Sequence, residues 1–137
     1  MKHFVFLLIS AVVILCTSCN KKESLYPDLS GRYTCSFSIP DVSYRTTQTV
    51  TLTKTGDTSY SVRGKHPFEE ASISYSKTFF IPQTDIVKNG KTYYLSLSAL
   101  LTYENGTFKS SFCQAAYGEK GVTGKVYDIK DFKLVKK

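Results

Sequence analysis

From Gly31 to Ile39 apolar and polar side chains alternate without a break, with Tyr33, Cys35, Phe37 and Ile39 on one face and Arg32, Thr34, Ser36 and Ser38 on the other. Successive side chains of extended backbone point to opposite sides, so a period of two predicts a strand with one buried face. Pro40-Asp41 interrupts the pattern, and residues 47–54 resume it, with Gln48, Val50 and Leu52 opposed to a row of threonines suited to a solvated face. Thr55-Gly56-Asp57 predicts a turn, and Tyr60 and Val62 a short third strand ending at Gly64. The stretch around Pro67 reads as a loop rather than a helical turn. Ala71, Ile73 and Tyr75 then alternate, and Phe79-Phe80-Ile81 forms a brief apolar run stopped by Pro82.

Two Asn-Gly pairs, Asn89-Gly90 and Asn105-Gly106, each stand between strand-like segments. Asn-Gly supplies the two positive-φ residues of a type I′ hairpin turn, so each pair predicts a hairpin. Between them Tyr93, Leu95, Leu97, Ala99 and Leu101 alternate with polar neighbours in one long strand. After the second turn Phe108, Ser110, Phe112 and Gln114 are expected to share a face, Gly118 and Gly121 to turn the chain, and residues 122–127 and 131–135 to close it. Nothing in the domain repeats at helical spacing. The expected fold is all-β, an antiparallel meander of about eight strands closed into a barrel, with a β-sandwich as the alternative.

The first residues follow a different pattern. Lys2 precedes a twelve-residue apolar run, residues 4–15, broken only by Ser10 and followed by small residues. At about 1.5 Å per residue such a run is too short for a hydrocarbon core of roughly 30 Å, so residues 1–18 read as a cleaved secretory signal. Cys16-Thr17-Ser18-Cys19 resembles the lipobox of bacterial lipoproteins, which implies cleavage before Cys19 and acylation of its thiol. Residues 19–30 then form a polar tether containing Pro27, and residues 31–137 the folded domain. Several acyl chains on one cysteine hold a protein on a membrane essentially permanently. Asn20, in place of the Asp that resembles an inner-membrane retention signal, favours the outer membrane, with either face open.

The lipobox, the tether, the opening Leu29-Ser30-Gly31-Arg32-Tyr33, the hairpins and the basic terminal strand of residues 132–137 together resemble the small lipocalin-like lipoproteins of Bacteroidetes. That resemblance implies an eight-stranded up-and-down barrel that holds a small apolar molecule. Tyr33 occupies the place where lipocalins carry Trp, and the chain has no Trp at all. Inward residues Tyr33, Phe37, Leu95, Leu97 and Phe112 would line the ligand.

Removing the signal takes the formal charge from +7 to +6 by the loss of Lys2, with the remaining basic residues scattered along 119 residues. Such a field concentrates anions, so an acidic glycan is an expected partner, whereas nucleic acid is a poor one for a secreted, anchored chain. Chemistry-bearing motifs are few. There is no Gly-x-Ser-x-Gly elbow and no His-Glu-x-x-His helix, and His66 with Cys113 is a pair of isolated residues rather than a catalytic motif. No enzyme activity, metal or cofactor is expected. Of the many tyrosines, Tyr44, Tyr93 and Tyr94 are candidates to stack on sugars. Two functional classes follow: a carrier of a small apolar ligand, or an interaction protein that binds an envelope protein, a glycan or a secreted enzyme.

After cleavage and acylation, only Cys35 and Cys113 remain as free thiols, in a compartment that favours disulfides. A closed barrel brings its first and last strands together, so a Cys35–Cys113 bridge is expected across the seam. Cys113 is out of phase with Phe112, so the pair shares a side only if a bulge near Ser110-Ser111 shifts the register or both faces are buried there. The alternative is two separate buried thiols.

Overall fold

A computed structural model describes residues 27–137 of the chain. The expected signal segment, Cys19 with its expected acylation and most of the expected tether lie outside the described residues. Nine strands follow in order: β1 (Gly31–Ile39), β2 (Tyr44–Lys54), β3 (Tyr60–Arg63), β4 (Ala71–Ser74), β5 (Thr78–Lys88), β6 (Lys91–Glu104), β7 (Thr107–Glu119), β8 (Lys125–Asp128) and β9 (Lys133–Lys136). The one helical element among the described residues is a single 3-10 turn, Pro40–Val42, between β1 and β2.

Strands β1 to β7 pair antiparallel, each with the next, and β9 pairs with both β7 and β1. The sheet therefore closes on itself as an eight-stranded barrel, the lipocalin-like form expected, and β8 adds to the upper part of β7 as an extra strand. Closure removes the unpaired edges that an open sheet would present. Both Asn-Gly pairs form the predicted turns, with φ of 53° and 75° at Asn89 and Gly90 and 51° and 79° at Asn105 and Gly106.

The inward residues form one core. Val50 and Leu52 of β2, Tyr60 and Val62 of β3, Ala71 and Ile73 of β4, and Leu95, Leu97, Ala99 and Leu101 of β6 are all buried, as alternation requires. Their outward neighbours are mostly polar, the reverse of a membrane-spanning barrel with its apolar outer band. Phe68, from the loop after β3, and Phe132, from the connection before β9, enter the barrel and meet Phe37 and Phe79.

Two bulges explain where the expected pattern fails. In β5 the register jumps between Ile81 and Thr84, so Pro82 does not stop the strand; it occupies a bulge, where its missing N–H costs no ladder bond. In β7 the partners of Leu100 and Leu101 are Phe112 and Ser110, which leaves Ser111 as the extra residue. Phe108, before the bulge, is buried, but Phe112, after it, faces outward and is 54% exposed. The inward face passes instead to Cys113, Ala115 and Tyr117. Phe112 therefore lines no interior, contrary to the alternation reading. Three other expectations shift: Tyr75 lies in the turn after β4 with φ of 56°, β7 runs on to Glu119, and the final strands are Lys125–Asp128 and Lys133–Lys136.

The bulge turns Cys113 to the same inner face as Cys35, yet the two are free, buried thiols and no bridge joins them. The reason is the seam itself. Strand β9 lies between β1 and β7, with Leu134 opposite both Cys35 and Phe108. Two strand spacings, about 9.6 Å, already separate Cys35 from Phe108, and Cys113 lies farther along β7 past the bulge, whereas a disulfide spans roughly 7 Å of Cα separation.

The domain also begins earlier than the alternation indicates. Leu29 is buried in the barrel end, where its N–H donates to the Tyr60 hydroxyl at 3.1 Å and its carbonyl accepts from the Tyr33 hydroxyl at 2.8 Å. Residues of the supposed tether thus plug the floor.

Candidate functional site

Of the residues expected to line a ligand, Tyr33, Phe37, Leu95 and Leu97 do converge on the interior, but each is essentially without exposed surface. Phe37, Phe68, Phe79 and Phe132 close a circuit of rings, with centroid separations of 6.2, 6.3, 4.9 and 6.3 Å between successive members. At the end farther from Leu29, Tyr93 stacks on Tyr117 at 5.4 Å and Tyr44 lies 6.1 Å from Tyr117. Tyr44 and Tyr93 therefore both pack on Tyr117, half-buried against the core, instead of presenting open rings to a sugar. The space a lipocalin would give to a ligand is occupied by side chains.

The outer wall at the seam is different. Strand register sets Thr47 beside Ser36, Ser36 beside Lys133, and Lys133 beside Lys109, one row running across β2, β1, β9 and β7. Adjacent members of such a row stand about 4.8 Å apart. Lys109 and Lys133 are direct cross-strand partners of like charge, a pairing that costs stability, and Lys109 has Thr102 on its other side. No acid separates them. Arg45, opposite Ser38, and Lys130, from the connection between β8 and β9, complete a cleft of about 530 Å³ floored by Phe37 and Phe132. Among the described residues none of these four cations takes part in an ion pair; the three that exist join His66 to Glu69, Lys91 to Glu119 and Lys120 to Asp85.

One acid, Asp131, lies in this wall and is already engaged. Its carboxylate accepts the Ser38 N–H at 3.0 Å and the Ser38 hydroxyl, which pins the connection carrying Lys130 to β1. Beyond that pin a second cleft of about 540 Å³ runs past Pro40, Asp41, Tyr127 and Asp128. The first cleft thus offers ammonium and guanidinium groups beside the hydroxyls of Ser36, Thr46 and Thr47, donors that suit phosphate, sulfate or carboxylate oxygens.

The remaining sequence candidates are not assembled into a reactive site. His66 Nδ1 faces Glu69 Oε1 at 3.4 Å on an exposed loop, while Cys113 is buried on the inner wall. Burial, with Asp131 adding to it, pushes the Cys113 thiol up to about 12, the opposite of what a nucleophile needs. Burial likewise pushes Cys35 up, and the neighbouring Cys113 adds to the effect. No group of three or more His, Cys, Asp and Glu among the described residues is placed to hold a metal.

Arg45, Lys109, Lys130 and Lys133 were not distinguishable in the chain from other scattered charges. Their positions become one site only through the pairings of β1 with β2 and of β9 with β1 and β7. Searches of protein-family models, of curated proteins and of solved structures found no match to this chain.

Proposed function

We propose that this protein is a lipocalin-like lipoprotein, held on the outer membrane through acylated Cys19, that acts as an interaction module for an anionic glycan or similar polyanion. The observation that carries this reading is the like-charge pair Lys109 and Lys133 with Arg45 and Lys130 around it, four cations without an ion pair among the described residues, against the single carboxylate of Asp131. Like charges placed in register are a cost to the fold that a bound anion relieves. The filled interior favours this interaction reading over the carriage of a small apolar ligand.

The test uses the mature protein, heparin and dextran sulfate as polyanion probes, and neutral dextran as the control. Wild type binds both polyanions saturably, and binding weakens as salt screens the charges. Lys109→Glu with Lys133→Glu lowers affinity at least about tenfold per reversed charge, since each loss of about 1.4 kcal/mol is a factor of ten. Reversal of Lys91 and Lys120, which already have acid partners elsewhere on the barrel, leaves affinity within about twofold. Equal losses from both pairs would reduce the site to a general charge effect and remove the proposal. The anchor has its own test: Cys19→Ser moves the protein from the membrane fraction to the soluble one and abolishes lipid labelling, and unchanged fractionation would refute the anchor.

A further inference from the structure

The chain enters the barrel at a fixed point. Tyr33 and Tyr60 hold Leu29 by hydrogen bonds, and the Tyr60 hydroxyl also reaches the Pro27 carbonyl at 3.4 Å. Around that point opens an apolar cleft of about 370 Å³, bounded by Pro27, Leu29, Tyr75, Lys77, Leu101 and Tyr103. Tyr75 stands out from the turn between β4 and β5 with 76% of its surface exposed. One rung up the wall, Leu100 pairs with Thr78 on one side and Phe112 on the other, and Phe80 follows two residues along β5. Leu100 and Phe80 are 46% and 43% exposed. Beyond the entry cleft, the outer face of β5, β6 and β7 thus carries a cluster of exposed apolar side chains, Phe80, Leu100 and Phe112, a feature that points to a contact surface.

We infer that this end of the barrel lies against the headgroup layer of the membrane that holds the anchor. The inference rests on the proposed acylation of Cys19. From Cys19 to Pro27 the chain reaches at most about 28 Å even when fully extended, so the end that receives it is kept close to the lipid. That same end carries the apolar cleft, with the cluster beyond it. Its chemistry fits the interface: two tyrosines, with apolar rings and polar hydroxyls, beside Lys77, whose stem covers apolar surface while its ammonium stays in water. Arg32, Lys54, Lys77, Lys136 and Lys137 outnumber Asp28, Asp57 and Glu104 at this end, so contact is expected with zwitterionic lipid and is strengthened by anionic lipid. The cation-lined cleft begins at Lys109 on β7, beside Thr102, and extends away from the apolar cluster across β9, β1 and β2.

The absence of any Trp in the chain supplies the experiment. Tyr75→Trp and Val87→Trp are each made in the full acylated protein, Val87 being an exposed residue at the opposite end of β5. Both are reconstituted into phosphatidylcholine vesicles whose acyl chains carry bromine near the headgroup, and flotation with the vesicles and the mass of the N-terminal residue report the anchor. The expected result is that both proteins float, that brominated lipid quenches the indole at position 75 by at least about half, and that it leaves the one at position 87 unquenched. Flotation with no quenching at position 75, or equal quenching at both, would overturn the inference while leaving the anchor intact. An unacylated protein that fails to float would overturn the anchor and the inference together. Because Tyr75 is exposed in a turn, a folding failure is not expected there. Tyr103→Ser in the Tyr75→Trp background gives a second reading: quenching falls if the cleft seats on lipid and stays constant if the turn alone touches it.

Discussion

Between pH 9 and about pH 12 the domain is expected to lose most of its stability. Burial raises the Cys113 thiol from its ordinary 9.0 to about 12 and the Tyr44 hydroxyl from 10.0 to about 12, and pushes Cys35, Tyr33 and Tyr117 upward as well. All these groups are neutral when protonated, so the folded protein holds protons that the unfolded chain has released. Above pH 9 the unfolded state binds fewer protons, and stability falls as pH rises. The contribution is fully present below the unfolded values and disappears through the folded ones. Each group that is ionised in the unfolded chain but protonated in the fold removes about 1.4 kcal/mol per pH unit, against a typical net stability of about 5–15 kcal/mol. Urea midpoints measured at unit intervals from pH 7 to 12 should be level to pH 8, decline from pH 9 as the thiols enter, and steepen from pH 10 as the tyrosines join. Cys113→Ala should remove about half of the slope between pH 9 and 10. A Cys35–Cys113 bridge would remove that early decline altogether, so the same titration separates free thiols from a disulfide.

Much of the barrel is legible in the chain because its causes are local. Alternation in Gly31–Ile39 and in β6 needs only one buried face, and the two Asn-Gly turns need only backbone that tolerates positive φ. Phe112 is the instructive failure. Its phase relative to Phe108 is correct for an unbroken strand, and one extra residue at Ser111 reverses it. Alternation in Lys109-Ser110-Ser111-Phe112 does not by itself require that insertion; the sequence suggests a bulge near Ser110-Ser111 only as one way for Cys113 to share a side with Cys35, and the pairing of Leu100 with Phe112 and of Leu101 with Ser110 places it there. The cleft is less legible still. Arg45 and Lys133 are separated by most of the domain in sequence, and closure of the barrel through β9 is what brings them to one wall. A net charge of +7 implies an attraction to anions without locating it.

Phe79→Ala should cost about 3–5 kcal/mol and turn a filled barrel into one that takes an apolar guest. Phe79 bridges Phe68 at 6.3 Å and Phe132 at 4.9 Å, and each of those also meets Phe37, so the four rings brace one another across the interior. Removing one ring leaves the others without a partner on that side, and close-packed surroundings collapse only in part. The resulting void is lined by phenyl rings and aliphatic side chains, has nothing to offer water, and should stay dry enough to bind benzene. Wild type, titrated with benzene or an apolar fluorescent probe, should show no saturable binding, whereas Phe79→Ala should show it together with a rise in thermal midpoint as the guest is added. Saturable binding to wild type at micromolar concentration would restore the carrier reading. The expected contrast follows from Phe68 and Phe132, which enter the interior from connections rather than from strands: the barrel has the walls of a ligand carrier, and its own loops supply the occupant.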